Sequence, residues 1–206
     1  MAQKALPYQY EIEEGTAGLT SLGGLPTYLD LAAATGFLGS IDRHLRIRTG
    51  DQGWTDRQMI LSLVLLNLVG GDCVEDIDKL EADEGFCRIL RKVETYGLTR
   101  KQRRELKKRW RKGRSRTLPS ASAIFRYIGN FHNAEQEKLR MKGKAFIPVS
   151  NEHLKALGKI NAEVISFGDK AETATLDMDA TITATMKENA LYSYTGEKAY
   201  QPLNTY

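Results

Sequence analysis

The chain has 206 residues, 41% hydrophobic and 27% charged, the balance of a globular protein with room for one domain and part of a second. Its longest apolar run, residues 59–69, is broken by Ser62 and Asn67 and falls short of the about 20 residues that cross a bilayer; residues 1–8 lack a signal peptide's apolar core, so no membrane partner is expected. Net charge is +4, yet residues 100–116 carry eleven Lys or Arg against one acid, Glu105, a local +10 that leaves −6 on the remainder (the total of +4 less the block's +10); a basic block on an acidic chain points to a polyanion partner.

Residues 1–25 mix glycine with Glu11, Glu13 and Glu14, and a short strand or arm is expected over residues 8–12. Residues 25–34 read as a helix, with Thr27 placed to cap it and Tyr28, Leu31 and Ala32 sharing a face. Gly36-Phe-Leu-Gly39 ends that helix, and residues 41–48 are short and basic on their exposed side. Thr55-Asp-Arg-Gln58 is a capping-box pattern opening a helix that is apolar nearly all round from Met59 to Leu68, as a central core helix would be. Gly70-Gly71 stops it. Another helix begins at Asp72 or Cys73, with Val74, Ile77 and Leu80 on one stripe, and Phe86, Ile89 and Leu90 form a third apolar patch after a break at Gly85. Cys73 and Cys87 match no zinc or disulfide pattern, and His44, His132 and His153 have no ligand spacing, so a reduced cytoplasmic protein is expected.

The basic block opens at Leu98-Thr-Arg-Lys-Gln102, with Thr99 as N-cap. Leu106 and Trp110 stand four apart, a thin apolar stripe that can dock while the rest stays solvated. Gly113-Arg-Ser-Arg116 reads as an unstructured continuation. Lys and Arg at this density release counterions on meeting phosphates, which favours nucleic acid without specifying its sequence. The candidate DNA contacts are Arg100, Lys101, Arg103, Arg104, Lys107, Lys108, Arg111, Lys112, Arg114 and Arg116. Downstream, Leu118-Pro-Ser leads into a helix capped by Ser120 or Ser122, with Ile124, Ile128 and Phe131 as its apolar stripe. A short helix after Pro and small hydroxyl residues resembles the second helix of a helix-turn-helix, whose N-terminal residues, here Ser120, Ser122 and Arg126, would face DNA. Residues 141–149 read as a linker; residues 151–165 read as an amphipathic helix with Leu154, Leu157 and Val164 near one face, closed by Gly168-Asp169 and expected to dock on a sheet.

The stretch Thr173-Ala-Thr-Leu-Asp-Met-Asp-Ala-Thr-Ile-Thr-Ala-Thr185 alternates polar with apolar residues and has neither Gly nor Pro, so a strand is expected. A period of two turns Leu176, Met178 and Ala180 to one face and Asp177 and Asp179 to the other. Two carboxylates side by side repel, and a divalent cation with oxygen ligands is the usual offset. After a turn near residues 187–189, further strand material flanks Gly196, and Pro202, which lacks an N–H, marks a strand end or edge.

Leu176-Asp-Met-Asp-Ala-Thr181 followed by Tyr192-Ser-Tyr-Thr-Gly-Glu-Lys-Ala-Tyr-Gln-Pro-Leu203 resembles the start of the catalytic domain of DDE-type insertion-sequence transposases, in the IS-four-like branch whose first strand carries Asp-x-Asp-x-Thr. Leu118-Pro-Ser before a helix and Phe131-His132 after it also match that family. The resemblance implies a mainly α N-terminal region followed by the first strands of an incomplete RNase H-like α/β domain. The expected divisions are a helical DNA-binding region (1–140), a linker and docking helix (141–170) and the start of the catalytic domain (171–206). It also implies metal-dependent cleavage and transfer of DNA strands, with Mg²⁺ or Mn²⁺ in the full-length enzyme. Asp179 matches the first metal ligand; Asp177 is its neighbour, and which of the two holds the metal stays open. Lys198 is placed to meet a phosphate. The family's second Asp and its Glu lie downstream of this strand, so a truncated portion, inactive alone, is expected. Its partners would be transposon ends and target DNA, with a possible homo-oligomer, in a nucleoid-associated bacterial location. The alternative is a non-catalytic DNA-binding protein that binds transposon ends or inhibits transposition.

Overall fold

The structure, a computed structural model, describes residues 19–139, 141, 146, 149–168, 173, 178–188, 190–193, 195–200 and 203–205. It divides into two units, one running to His132 and resuming at Ser150–Gly168, the other formed by Asn133–Val149 and Asp169–Tyr206. The described residues are mainly helical, with short antiparallel strands near the C-terminus. No helix among them is long and apolar enough to cross a membrane. The strand expected over residues 8–12 lies outside the described residues.

The helical unit opens with α1 (Leu25–Ala34) and α2 (Phe37–His44), separated at Gly36, whose φ of 71° favours a residue without Cβ. Phe37 to Gly39, expected to end the first helix, instead begin the second. Thr27 does not cap α1: the N-cap is Gly24 and Pro26 occupies the first turn, where a missing N–H is harmless. The buried face of α1 is Leu25, Pro26 and Leu29, while Tyr28 and Leu31 are exposed. Two stripes of similar apolarity run along this helix, and packing against α2 decides between them.

Helix α3 (Asp56–Leu68) is the centre of the core, with Met59, Ile60, Leu61, Leu65 and Leu66 buried. Its capping box forms as expected: Gln58 N–H donates to Thr55 Oγ1 at 3.2 Å and Thr55 N–H to Gln58 Oε1 at 2.9 Å. Gly70, with φ 74°, turns the chain out of it. A single 3₁₀ turn (Val74–Asp76) leads into α4 (Ile77–Ala82), which buries Ile77 and Leu80. Helix α5 (Glu84–Thr95) starts one residue before Gly85, so that glycine is no break; the Asp83 carboxylate caps the helix by accepting from Phe86 N–H at 2.9 Å. Helix α6 (Arg100–Lys108) carries the basic block, and α7 (Ala121–Ile128) follows Leu118-Pro119-Ser120. The buried stripe of α7 is Ile124 and Tyr127, whereas Ile128 is exposed. Helix α8 (Ala134–Glu137) belongs to the second unit.

Helix α9 (Glu152–Gly168) belongs to the helical unit and packs against α2 through Ala156 and Ile160. Leu154, expected on its packed face, is exposed. Glu163 ties the two helices, accepting from Ser40 Oγ, Arg43 Nη2 and His44 Nε2, each at 2.6 Å. Hydrogen bonds from Ser40, then His44 and Arg43, pull its carboxyl down to about 2.

In the second unit, the single strand expected over residues 173–185 falls in part on 174–177, outside the described residues, and its described part holds two short strands, β1 (Met178–Ala180) and β2 (Thr183–Ala184). β3 (Leu191–Tyr192) and β4 (Lys198–Tyr200) are joined by a turn at Gly196, and β5 (Leu203–Thr205) follows. β1 pairs with β5 (Met178 with Thr205, Ala180 with Leu203), and β4 sits between β2 and β3. In the second sheet Thr183 stands opposite Tyr200 and Ala184 opposite Ala199.

Candidate nucleic-acid interface and acidic strand

Helix α6 is nine residues long and opens on a capping box: Gln102 N–H donates to Thr99 Oγ1 at 3.3 Å and Thr99 N–H to Gln102 Oε1 at 2.9 Å. At 3.6 residues per turn, Arg100, Lys101, Arg103, Arg104, Lys107 and Lys108 fall within an arc of about 160°. All six are exposed, and among the described residues none forms an ion pair; Arg103 Nε donates to its neighbour Leu98 O at 3.0 Å. Gln102, Glu105 and Leu106 occupy the opposite side, above an open groove of about 730 Å³ whose far wall includes Asp42, Arg57 and Thr55. Charge on α6 is thus sorted by face.

That sorting opposes helix stability. No acid stands in the first turn, where Arg100 and Lys101 face the positive end of the macrodipole. Arg100–Arg104, Arg103–Lys107 and Arg104–Lys108 are like-charge pairs four apart, each destabilising by about 0.2–0.5 kcal/mol. A helix this short is marginal in water without outside support.

The support lies at its C-terminal end. Arg109 Nε and Nη2 donate to Gly53 O at 2.8 Å and Gly50 O at 3.0 Å, and Gly53 N–H donates back to Arg109 O at 3.0 Å. Trp110 meets Trp54 edge to face, with ring centroids 4.8 Å apart. The Arg114 guanidinium lies 4.7 Å from the Trp54 ring centroid and 5.6 Å from that of Trp110. It also donates to both Glu94 oxygens, at 2.6 and 3.0 Å, in an ion pair whose side chains are only 15% and 11% exposed. Glu94 accepts from Gln58 Nε2 at 2.9 Å as well, joining this cluster to the cap of α3.

The basic candidates therefore separate. The six on α6, with Arg111 and Lys112 just beyond it, are exposed. Arg114 is committed to Glu94 and the two tryptophans, and Arg116 to Asp78 and to Leu118 O at 3.2 Å. Residues 113–116 have no regular secondary structure, as expected, yet these side chains pin them to the core. Ser120 is the cap of α7, with its Oγ 3.4 Å from Ala123 N and 3.1 Å from Ser122 Oγ. Ser122 and Arg126, four apart, are both exposed. Lys198 lies in β4, half-buried, opposite Tyr192.

Asp179 is the middle residue of β1, in register with Asn204. Asp177 lies outside the described residues. Among the described residues no three His, Cys, Asp or Glu side chains gather as a metal-holding group. A carboxylate donor such as Asp179 suits a hard cation of the Mg²⁺ or Mn²⁺ kind. Sequence reasoning missed the Trp54–Trp110–Arg114–Glu94 cluster and the Glu163 tie, whose members are far apart in the chain and carry no local pattern.

No family model, no curated protein and no solved structure matches this chain.

Proposed function

We propose that this chain is the DNA-binding region and opening catalytic segment of a DDE-type transposase of a bacterial insertion sequence, acting on transposon ends and target DNA. The observation that carries the reading is the antiparallel pairing of these short strands. β1, which carries Asp179, pairs with β5 from Leu203 onward, and β2, which follows it, pairs with Ala199 and Tyr200, so the two halves of the motif behind the resemblance are neighbours in space. On this reading the small antiparallel sheet opens an RNase H-like domain. Asp179, with Asp177, would hold Mg²⁺ or Mn²⁺, which when bound stabilises charge on the phosphoryl oxygens and activates the attacking oxygen. The chain's own residues do the holding of DNA: α6 meets the backbone, the start of α7 presents Ser122 and Arg126, and Lys198 neutralises a phosphate near the acidic strand.

Competition binding tests the proposal, using duplex fragments from either side of the chain's own gene against unrelated duplexes of equal length. The expected result is at least tenfold tighter binding to a fragment that contains a transposon end, about 1.4 kcal/mol. Equal affinity for every fragment contradicts the transposase reading. The exposed charge of α6 also favours a second reading, a DNA-binding protein that occupies transposon ends without cutting them. Divalent-metal-dependent nicking of a bound end by this chain contradicts that alternative, and with it the expectation that this portion is inactive alone.

A further inference from the structure

We infer that α6 is a preorganised helix for the backbone of double-stranded DNA, holding about four phosphates of one strand without reading their sequence, and that Arg109 and Arg114 position it. The inference rests on the DNA-binding reading above and deepens it by naming the contact and the strand geometry.

Size fits first. Nine residues span about 13.5 Å at 1.5 Å each. Successive phosphates of one strand advance about 3.4 Å along the duplex axis, so about four lie within reach. Arg100, Arg103, Arg104 and Lys107 fall within about 100° of one another on the exposed face, one cation for each. Chemistry fits next: the cationic face carries no aromatic ring on which an unpaired base could stack, whereas single-strand binders depend on such platforms. Trp54 and Trp110 are occupied with each other and with Arg114. The local cost of the arrangement is the third argument. Six cations on one face and an uncompensated helix start break the rules of a stable helix, while nothing among the described residues neutralises them. A polyanion relieves both faults at once.

Rigid attachment completes the case. The bonds of Arg109 to Gly50 and Gly53, together with the Arg114–tryptophan–Glu94 cluster, hold the end of α6 to the core. The ordering of the helix is therefore largely met before DNA arrives, which conserves binding free energy.

The experiment is fluorescence anisotropy with 20-base-pair duplexes of unrelated sequence, from 50 to 200 mM salt. The α6 contribution to the slope of log affinity against log salt is about −3.6 for four phosphates, an affinity loss of about 150-fold over that range. The variant R100Q/R103Q/R104Q/K107Q, which removes repulsion and no ion pair, melts no lower than the wild type and loses about 3.6 from the slope; each single change loses about 0.9. Arg114→Lys keeps the charge but gives up the bidentate bond and the stacking. With the fold intact, it also shows a shallower slope, which counting charges alone does not predict. Absence of any duplex binding by the wild-type chain removes the DNA reading itself. Steep binding that the quadruple variant retains overturns the inference and leaves that reading standing. Tighter binding to single-stranded DNA or duplex RNA of the same length overturns it too, and a wild-type slope for Arg114→Lys removes the positioning role.

Discussion

The Tyr127 hydroxyl is sealed inside the helical unit and donates to Asp56 Oδ1 at 2.9 Å, while Arg48 N–H lies 3.1 Å from both oxygens of the same carboxylate. Burial first, and the Asp56 charge second, push ionisation of that phenol far above its usual range. Tyr127→Phe is expected to lose about 1–2 kcal/mol in urea denaturation, because one buried bond goes while the Arg48 N–H stays satisfied. Glu163 supplies a pH dependence of known sign. Its carboxyl titrates at about 2 in the folded protein against about 4.3 in an unfolded chain. The native state therefore binds fewer protons in between; the tie is fully present above the higher value and drains away as pH falls toward the lower. Melting temperature measured from pH 5 to pH 2 should fall more steeply for the wild type than for Glu163→Gln. Parallel curves contradict the tie. Neither site announces itself in the sequence, since Ser40 and Glu163 stand 123 positions apart and a polar residue reveals its partner only after folding.

Helix starts were the most legible elements. Thr55, Thr99 and Ser120 each sit where a hydroxyl meets the orphan N–H groups of a first turn, and each caps its helix. That chemistry is local, so a few adjacent residues suffice to state it. Helix faces were less legible. On α1 the expected stripe, Tyr28 and Leu31, faces out, and Leu25 and Leu29 face in, because a partner helix chooses the face. Leu29→Ala is accordingly expected to destabilise by about 2–5 kcal/mol, and Tyr28→Ser by no more than about 0.5 kcal/mol. Comparable losses from the two substitutions in denaturant titrations contradict the observed orientation. The described part of the strand over residues 173–185 was legible in type and not in continuity. Alternation reports a strand, but which of its residues pair is decided by distant segments, β5 for β1 and β4 for β2.

At the scale of the whole molecule, the basic block was visible as charge and invisible as architecture. Composition counts Arg114 and Arg116 with their neighbours, yet the fold assigns those two to Glu94 and Asp78 and leaves the face of α6 exposed. One contiguous run of sequence thus supplies both a surface and the anchor that holds it. The acidic strand belongs to a different unit from that surface, so on the proposed reading the cationic helix and the metal-holding carboxylates lie on separate parts of the chain. Hydroxyl-radical footprinting of the chain on a duplex carrying a transposon end tests the central claim, that this protein grips double-stranded DNA through its cationic helix. Protection of about four consecutive sugars on one strand, lost when Arg100, Arg103, Arg104 and Lys107 are neutralised, is the predicted result; cleavage as uniform as that of free DNA would contradict it.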